Sequence, residues 1–389
     1  MRMIRQIGWM AALIAALCVA RLPAQDAVEG PRLTFVGDVC FGESYARDIA
    51  AARGRNLLEE KGYDYSLARV APLLAGSTQV IANLETAVAT PRLQVGAYAK
   101  KYRHWSDPEP AVAALKRHGL TVLALGNNHS MDQGTDGLAE TLRALRTGGL
   151  AYFGAGEHAT AAAVPWRTTI HQGDRERTVL VVSAFEYREL YDKGYSFYAT
   201  DERAGINAWT NETARTQLQA LRREHPEAFI IAFPHWGHNY VWREDREFQM
   251  GHALIDGGAD LVIGHGAHQL QEIERYRDRW IIYGIGNFVM NAPGRYQHLD
   301  APPYSLVAAL DFGRADDEIA LALYPIVTDN LVTDYQPRPV SAAEFAIVHE
   351  LLLDRADDRP ALAAALTADT DARGHLLRLP LQLPPRPIK

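Results

Sequence analysis

Groups able to hold a metal ion recur at one kind of place in this 389-residue chain, just after a short apolar run. Asp38 follows Leu33–Val36, Glu85 follows Gln79–Ala82, and Asn128 and His129 follow Leu120–Leu125. His235 follows Phe229–Phe233, and His265 and His268 follow Leu261–Ile263. Taken singly, an Asp after a strand caps a helix and a His is an ordinary hydrogen-bonded residue. Taken together, carboxylate oxygens and imidazole nitrogens suit Mn, Fe or Zn better than a thiolate-seeking ion. There are more of them than one tetrahedral site needs, which favours two divalent ions sharing a bridging carboxylate.

The densest stretch is Leu123–Gly134, where Asn127, Asn128, His129 and Asp132 lie between an apolar strand and a helical pattern from about Thr135. Asp132 fits a helix N-cap as well as a site residue. Two amides followed by an imidazole do not read as capping, and ligands bind beyond the carboxyl ends of strands in sheets wrapped by helices.

The elements that must deliver these groups alternate between strand and helix. Strands are predicted over the apolar runs just named and over 151–153. Helices are predicted over 45–52, 67–74, from Asp107-Pro108 to about His118, and over 135–147, 213–223 and 248–255. Hairpins are predicted for 168–171 with 178–184, turning at Gly173-Asp174, and for 304–312 with 319–327. Strands at 271–276 and 280–283 join through Asp278, the second running into Gly284–Phe288. Residues 186–208 have no clear period and read as a substrate-facing loop. From about Pro337 the chain turns helical and then Pro-rich, an extension over 336–389 with a loose end.

Arg2 and Arg5 precede an apolar stretch from Ile7 to Ala20, and Leu22-Pro23-Ala24 offers a cut site. That pattern makes residues 1–24 a secretory signal peptide, with an uncleaved anchor as the alternative, and places the protein in the periplasm or at the cell surface. Removing it takes three arginines from 40 basic residues against 47 acids, leaving a net charge of −10. An acidic exported chain is a poor nucleic-acid binder. Cys40 would be its single cysteine, so the fold must hold without an intrachain disulfide. Cys40 reads as a buried inert thiol, or alternatively as a thiolate ligand that would shift the site toward zinc.

Six motifs, in order and spacing, together resemble the CapA family of poly-γ-glutamate capsule biosynthesis proteins, within the calcineurin-like metallophosphoesterase superfamily. They are Gly37-Asp38…Gly42, Asn83-Leu84-Glu85, Gly126-Asn-Asn-His129…Asp132-Gln-Gly134, His235-Trp236-Gly237, Gly264-His265…His268-Gln269 and Gly286-Asn287-Phe288. The resemblance implies an α/β fold, a four-layer α-β-β-α sandwich with metals at the carboxyl ends of two sheets, over a domain at 25–335. It implies that Asp38, Glu85, Asn128, His235, His265 and His268 hold metal, with Glu85 as the bridge. His129 is then the proton donor, oriented by Asp132. Asn127, His238, Asn239 and Asn287 are left as contacts to substrate or to the ligands. Two departures stand out: the family's His-Trp-Gly-x-Glu-Tyr has Asn239 in place of the acid, and Gly266-Ala267 replaces the His-Pro of Gly-His-His-Pro-His.

Such a centre suits hydrolysis of a phosphoester or of an amide in an anionic cell-surface polymer or peptide, beside membrane-associated synthesis machinery. A non-catalytic polymer assembly factor keeping the same fold is the alternative. Metal-assisted proton abstraction next to a carbonyl is a third.

Overall fold

The computed structural model describes residues 30–43, 56–91, 100–172, 175–292, 294–313 and 319–381. The signal peptide expected at 1–24 and the helix expected at 45–52 lie outside the described residues.

Strand alternation sets the architecture, because side chains on a strand point to opposite faces with a period of two. In Phe229–His235, Phe229, Ile231 and Phe233 face one core, while Ile230 and Ala232 face another. Ile81 in Gln79–Leu84 and Val122 and Ala124 in Val122–Ala124 join the first of these cores from a different sheet. Two sheets therefore pack face to face over one apolar interior.

The first sheet runs Thr367–Asp371, Gly374–Pro380, Ile319–Val327, Tyr304–Phe312, Arg32–Cys40, Gln79–Leu84, Val122–Ala124, Ala151–Phe153. Its last four members are parallel. The second centres on four parallel strands, Arg175–Glu186, Phe229–His235, Leu261–Ile263 and Arg279–Ile282. The outer face of the first sheet is covered by helices Pro108–Arg117 and Gly134–Gly148, through Ala111, Leu115, Leu138, Leu142 and Leu145. Helices Asn211–Glu224 and Asp245–Gly257 cover the second, through Leu218 and Leu254. The result is the expected α-β-β-α sandwich.

One irregularity matters more than the rest. Leu33 and Phe35 face the inter-sheet core, whereas Val36, Val39 and Phe41 face the outer one. The pairing of Arg32–Cys40 shifts between Val36 and Asp38 against Gln79–Leu84, and between Asp38 and Val39 against its other parallel neighbour, Asn287–Met290. This bulge reverses the alternation and turns Asp38 toward the second sheet; bulges re-aim side chains in this way. Gly37 permits it, since a Cβ there would lie 1.7 Å from the Gly286 carbonyl oxygen.

One expectation needs correction. Residues 67–74 form short 3₁₀ turns, Tyr65–Leu67 and Ala71–Leu74, because Pro72 has no N–H to continue an α-helix. The segment after 336 turns helical as expected and packs onto the sheets, while its Pro-rich end from 382 lies outside the described residues. Helices Ala342–Arg355 and Arg359–Ala365 send Val348, Leu352 and Leu362 into the inter-sheet core, and Gly374–Pro380 pairs with Ile319–Val327. No helix among the described residues is long and apolar enough to cross a membrane.

Leu352 is fully buried, so Leu352→Ala should cost about 2–5 kcal/mol of stability by lost burial plus a cavity. Urea unfolding would measure it, and a change under 0.5 kcal/mol, roughly that of a surface substitution, would show that the extension does not share the core.

Candidate metal centre

The carboxyl ends of the two sheets bring the expected residues together. Continuing each strand's alternation puts Asn83 and Glu85 of the first sheet on its inner side, and His235 and His265 on the facing side of the second. The backbones of His235 and His265 bridge directly. Gly264 makes room for this turn, because a Cβ there would sit 2.1 Å from the Tyr283 carbonyl oxygen. His268 adopts a left-handed φ of 63°, unusual for a side chain without a special role.

Asp38 is the centre of the group. Its Oδ1 lies 3.4 Å from His265 Nδ1 and 4.0 Å from His235 Nδ1, and its Oδ2 lies 3.1 Å from His268 Nδ1. Glu85 Oε1 is 3.7 Å from His235 Nε2 and 3.8 Å from His129 Nε2, and Oε2 is 3.9 Å from His268 Nδ1. Two trios, Asp38 with His235 and His265 and Asp38 with Glu85 and His268, each hold their ligand atoms within 4.8 Å of one another. The carboxylate common to both is Asp38, not Glu85.

The electrostatics are those of a site built for positive charge. Burial alone raises Asp38, but His265, His268 and His235 outweigh it and hold the carboxyl well below its usual range. Glu85 is pushed well up, by burial and by the neighbouring Asp38 charge. Burial disfavours the His268 imidazolium, yet Glu85 and Asp38 overcome that and bring it to about 9. His235 goes the other way, driven well down by burial and by His265. Asp38 Oδ2, Glu85 Oε2, His265 Nε2 and Asn128 Oδ1 are all buried without a hydrogen-bond partner. Orphaned acceptors of this kind are costly in a folded interior, and a coordinated cation satisfies them. The donor set therefore fits divalent metal.

Beside this cluster, His129 Nδ1 and Asp132 Oδ2 are 2.5 Å apart, leaving His129 Nε2 on the Glu85 side. The N-cap reading of Asp132 does not hold: the helix Gly134–Gly148 has Gln133 at its cap, without a side-chain capping bond. Asn127 Oδ1 accepts from the backbone N–H groups of His129 and Ser130, and its Nδ2 donates to Asn83 Oδ1, tying the turn to the cluster. Asn287 Oδ1 accepts from His268 Nδ1, and Tyr296 takes the Asn287 amide.

Two expected contacts lie elsewhere. His238 and Asn239 are exposed, and His238 is held by Glu244 at 2.6 Å. The missing family acid at 239 thus takes no member from the buried cluster. Cys40 is buried, with its thiol 3.6 Å from His104 Nδ1, and burial pushes it well above the usual thiol range. It belongs to neither trio.

Lys100, His104 and Tyr191 join the site without having been singled out, and Asn83, quoted above only as part of the Asn83-Leu84-Glu85 motif, joins it as well. Asn83 Nδ2 donates to Asp38 Oδ1 at 2.8 Å and lies 3.3 Å from His235 Nδ1, linking the sheets. Its spacing of two from Glu85 was the available signal. Lys100 and His104 reach the site from 28 to 32 residues away, so no local pattern marks them. Tyr191, in a π-helical turn Leu190–Gly194, places its hydroxyl against the Asn128 side chain and its ring 5.7 Å from Lys100 Nζ. The loop expected to face substrate thus does reach the site.

Comparison with known proteins identifies the family. The model of the bacterial capsule synthesis protein PGA_cap matches residues 32–292, and the chain belongs to that family. It is 29% identical over 290 residues to the capsule biosynthesis protein CapA of Bacillus anthracis, covering 72% of this chain and 66% of that one. It is 27% identical over 271 residues to the PGA biosynthesis protein CapA of Bacillus subtilis, covering 68% and 67%. It is 33% identical over 222 residues to a probable polyglutamine synthesis accessory protein of Mycobacterium tuberculosis, covering 54% and 55%. The chain thus spans between about half and two thirds of these relatives' lengths. Among solved structures, a phosphatase from Mycoplasma pneumoniae superposes with a TM-score of 0.37 at 10% identity, covering 80% of this chain and 92% of that one. GAP50, an anchor in the Plasmodium inner membrane complex, gives 0.39 at 12%, covering 76% and 84%.

Because a metal must displace the proton of His268, apparent metal affinity should weaken as pH falls below about 9. One released proton corresponds to about tenfold per pH unit. Calorimetric titration of the metal-free protein with Zn²⁺ or Mn²⁺ in buffers of different ionisation enthalpy would count the protons. A pH-independent affinity would contradict this assignment.

Proposed function

We propose that the chain is an exported, metal-dependent hydrolase acting on an anionic cell-surface polymer, cleaving an amide or a phosphoester. The observation that carries the reading is the meeting of Asp38, Glu85, His235, His265 and His268, with orphaned acceptors among them, beside a hydrogen-bonded His129–Asp132 pair. The names of the relatives, capsule and PGA biosynthesis proteins, support a capsule polymer as the substrate. The N-terminal segment 1–24 supplies the route out of the cytoplasm, with membrane-associated synthesis machinery as partner.

Asp38, Glu85, His235, His265 and His268, with Asn128, would hold the metal, two ions of Mn, Fe or Zn. When bound, divalent cations polarise the scissile carbonyl or phosphoryl oxygen and supply hydroxide near neutral pH. The chain's own groups do the rest. Asn83 and Asn287 keep Asp38, His235 and His268 oriented through their amides. Asn127 fixes the turn that presents His129. His129 Nδ1 donates to Asp132, which leaves Nε2, on the Glu85 side, to take a proton from the attacking water and pass it to the departing group. Phe185 packs its ring edge-on to His235, and Tyr191 packs against Phe185, walling the site from water on that side.

The test is turnover by the full chain after metal removal and reloading with Mn²⁺ or Zn²⁺, on poly-γ-glutamate, γ-glutamyl amides and phosphodiesters. Hydrolysis should vanish with chelator and return with metal. His129→Ala should lower kcat by roughly 10²–10⁴ while metal content is kept. His265→Ala should lose metal as well as activity. Unchanged turnover in both variants would overturn the reading, and a metal-loaded protein inert on every substrate would favour the assembly factor instead.

A further inference from the structure

We propose that Arg295 is the substrate-anchoring residue of this site, holding a carboxylate of the anionic polymer beside the scissile bond. The proposal rests on the polymer substrate proposed above and names the group that would select it. The other basic side chains described around the metal centre are already committed. Lys100 lies against Asp132 at 2.7 Å, Arg188 is paired with Glu186, and Arg103 holds the Asp132 carbonyl oxygen at 2.7 and 2.9 Å. Arg295 is exposed, and no carboxylate among the described residues lies within ion-pairing distance of it.

Two ties hold Arg295 at the rim of the metal centre. Its guanidinium carbon is 5.7 Å from the centre of the Tyr240 ring, and that centre is 5.5 Å from the centre of the His268 ring. Its neighbour Tyr296 is buried, donates its hydroxyl to the His268 carbonyl oxygen at 2.7 Å and accepts the Asn287 amide at 2.9 Å. The Tyr240 and Tyr296 rings meet edge to face, with centres 4.8 Å apart, so the two ties form one aromatic wall. Tyr240 takes a left-handed φ of 61°, which a bulky side chain adopts only where its surroundings impose it. Burial raises the Tyr240 hydroxyl to about 12; the Arg295 charge opposes this, and the Glu85 and Asp38 charges add to it. A hydroxyl that senses the guanidinium and both carboxylates lies between them.

A solvated arginine is ordinary on a protein surface. This one stands on an aromatic face, one ring away from a metal ligand, in a chain with 47 acidic residues against 40 basic ones. Such a chain repels an anionic polymer except where local positive charge receives it. A guanidinium offers a planar fork of donors matched to a carboxylate, and the tyrosine face beneath keeps that plane oriented. A polymer with one carboxylate per unit presents such a group next to every scissile amide.

The experiment measures binding by calorimetry to the Zn²⁺-loaded full chain carrying His129→Ala, so that the ligand is not consumed. The probes are a short γ-linked glutamate oligomer and the same oligomer with its α-carboxylates converted to amides. Adding Arg295→Ala should weaken binding of the acidic oligomer roughly tenfold and change that of the amide less than about twofold. Arg295→Lys, which keeps the charge but loses the planar fork, should fall between. Arg223→Ala removes the same charge from the exposed side of helix Asn211–Glu224 and should leave both affinities as they were. An acidic oligomer that binds equally well without Arg295, or does not bind while that arginine is present, would overturn the proposal. So would equal losses for the acidic and amide oligomers, or an equal loss in Arg223→Ala. A chain that binds the oligomer through Arg295 yet cleaves nothing defeats the hydrolase reading and leaves the anchor. A chain that cleaves the polymer with an affinity indifferent to Arg295 defeats the anchor and leaves the hydrolase.

Discussion

Two carboxylates buried side by side are the constraint on which this structure depends. Asp38 and Glu85 lie in an interior where an isolated charge is prohibitively expensive, and each raises the cost of ionising the other. Three imidazoles surround them, and the compromise is uneven: Asp38 stays ionised, Glu85 is driven toward its neutral form, and His268 retains a proton it would otherwise lose. Such an arrangement is poor for stability and good for binding a cation, since positive charge relieves repulsion and orphaned acceptors at once.

The two-sheet architecture follows from that requirement. No single loop carries the cluster; its members are separated by up to 230 residues and meet because the carboxyl ends of two parallel arrays open on the same side. Strand alternation aims Glu85, His235 and His265 without special devices. Asp38 needs one, the bulge at Gly37, without which it would point into the helix-covered core with Val36. The C-terminal extension packs into the same interior and helps to hold the sheets together.

Much of this was legible from strand ends alone, because an apolar run followed by a polar side chain reports both an element and its exit. The sandwich came from the family resemblance, and the periodicity of two then accounts for which side chains face inward. What was not legible depended on contacts across the fold. Lys100 and His104 reach Asp132 through space, and nothing around them in sequence marks a buried lysine. The hairpin after Leu366 pairs Thr367–Asp371, rich in Asp and Thr, with Gly374–Pro380, whose other partner, Ile319–Val327, lies more than 50 residues back. Residues 67–74 read as a helix, and Pro72 decided against an α-helix there. Asn239 drew attention as a lost acid, yet its exposure takes it out of the buried cluster.

Anomalous diffraction from crystals of the metal-loaded chain, recorded at the absorption edge of the ion, tests the central claim most directly. The account predicts scattering peaks bounded by Asp38, Glu85, His235, His265 and His268. Peaks confined to other parts of the molecule, or none in a protein that carries stoichiometric metal in solution, would contradict it.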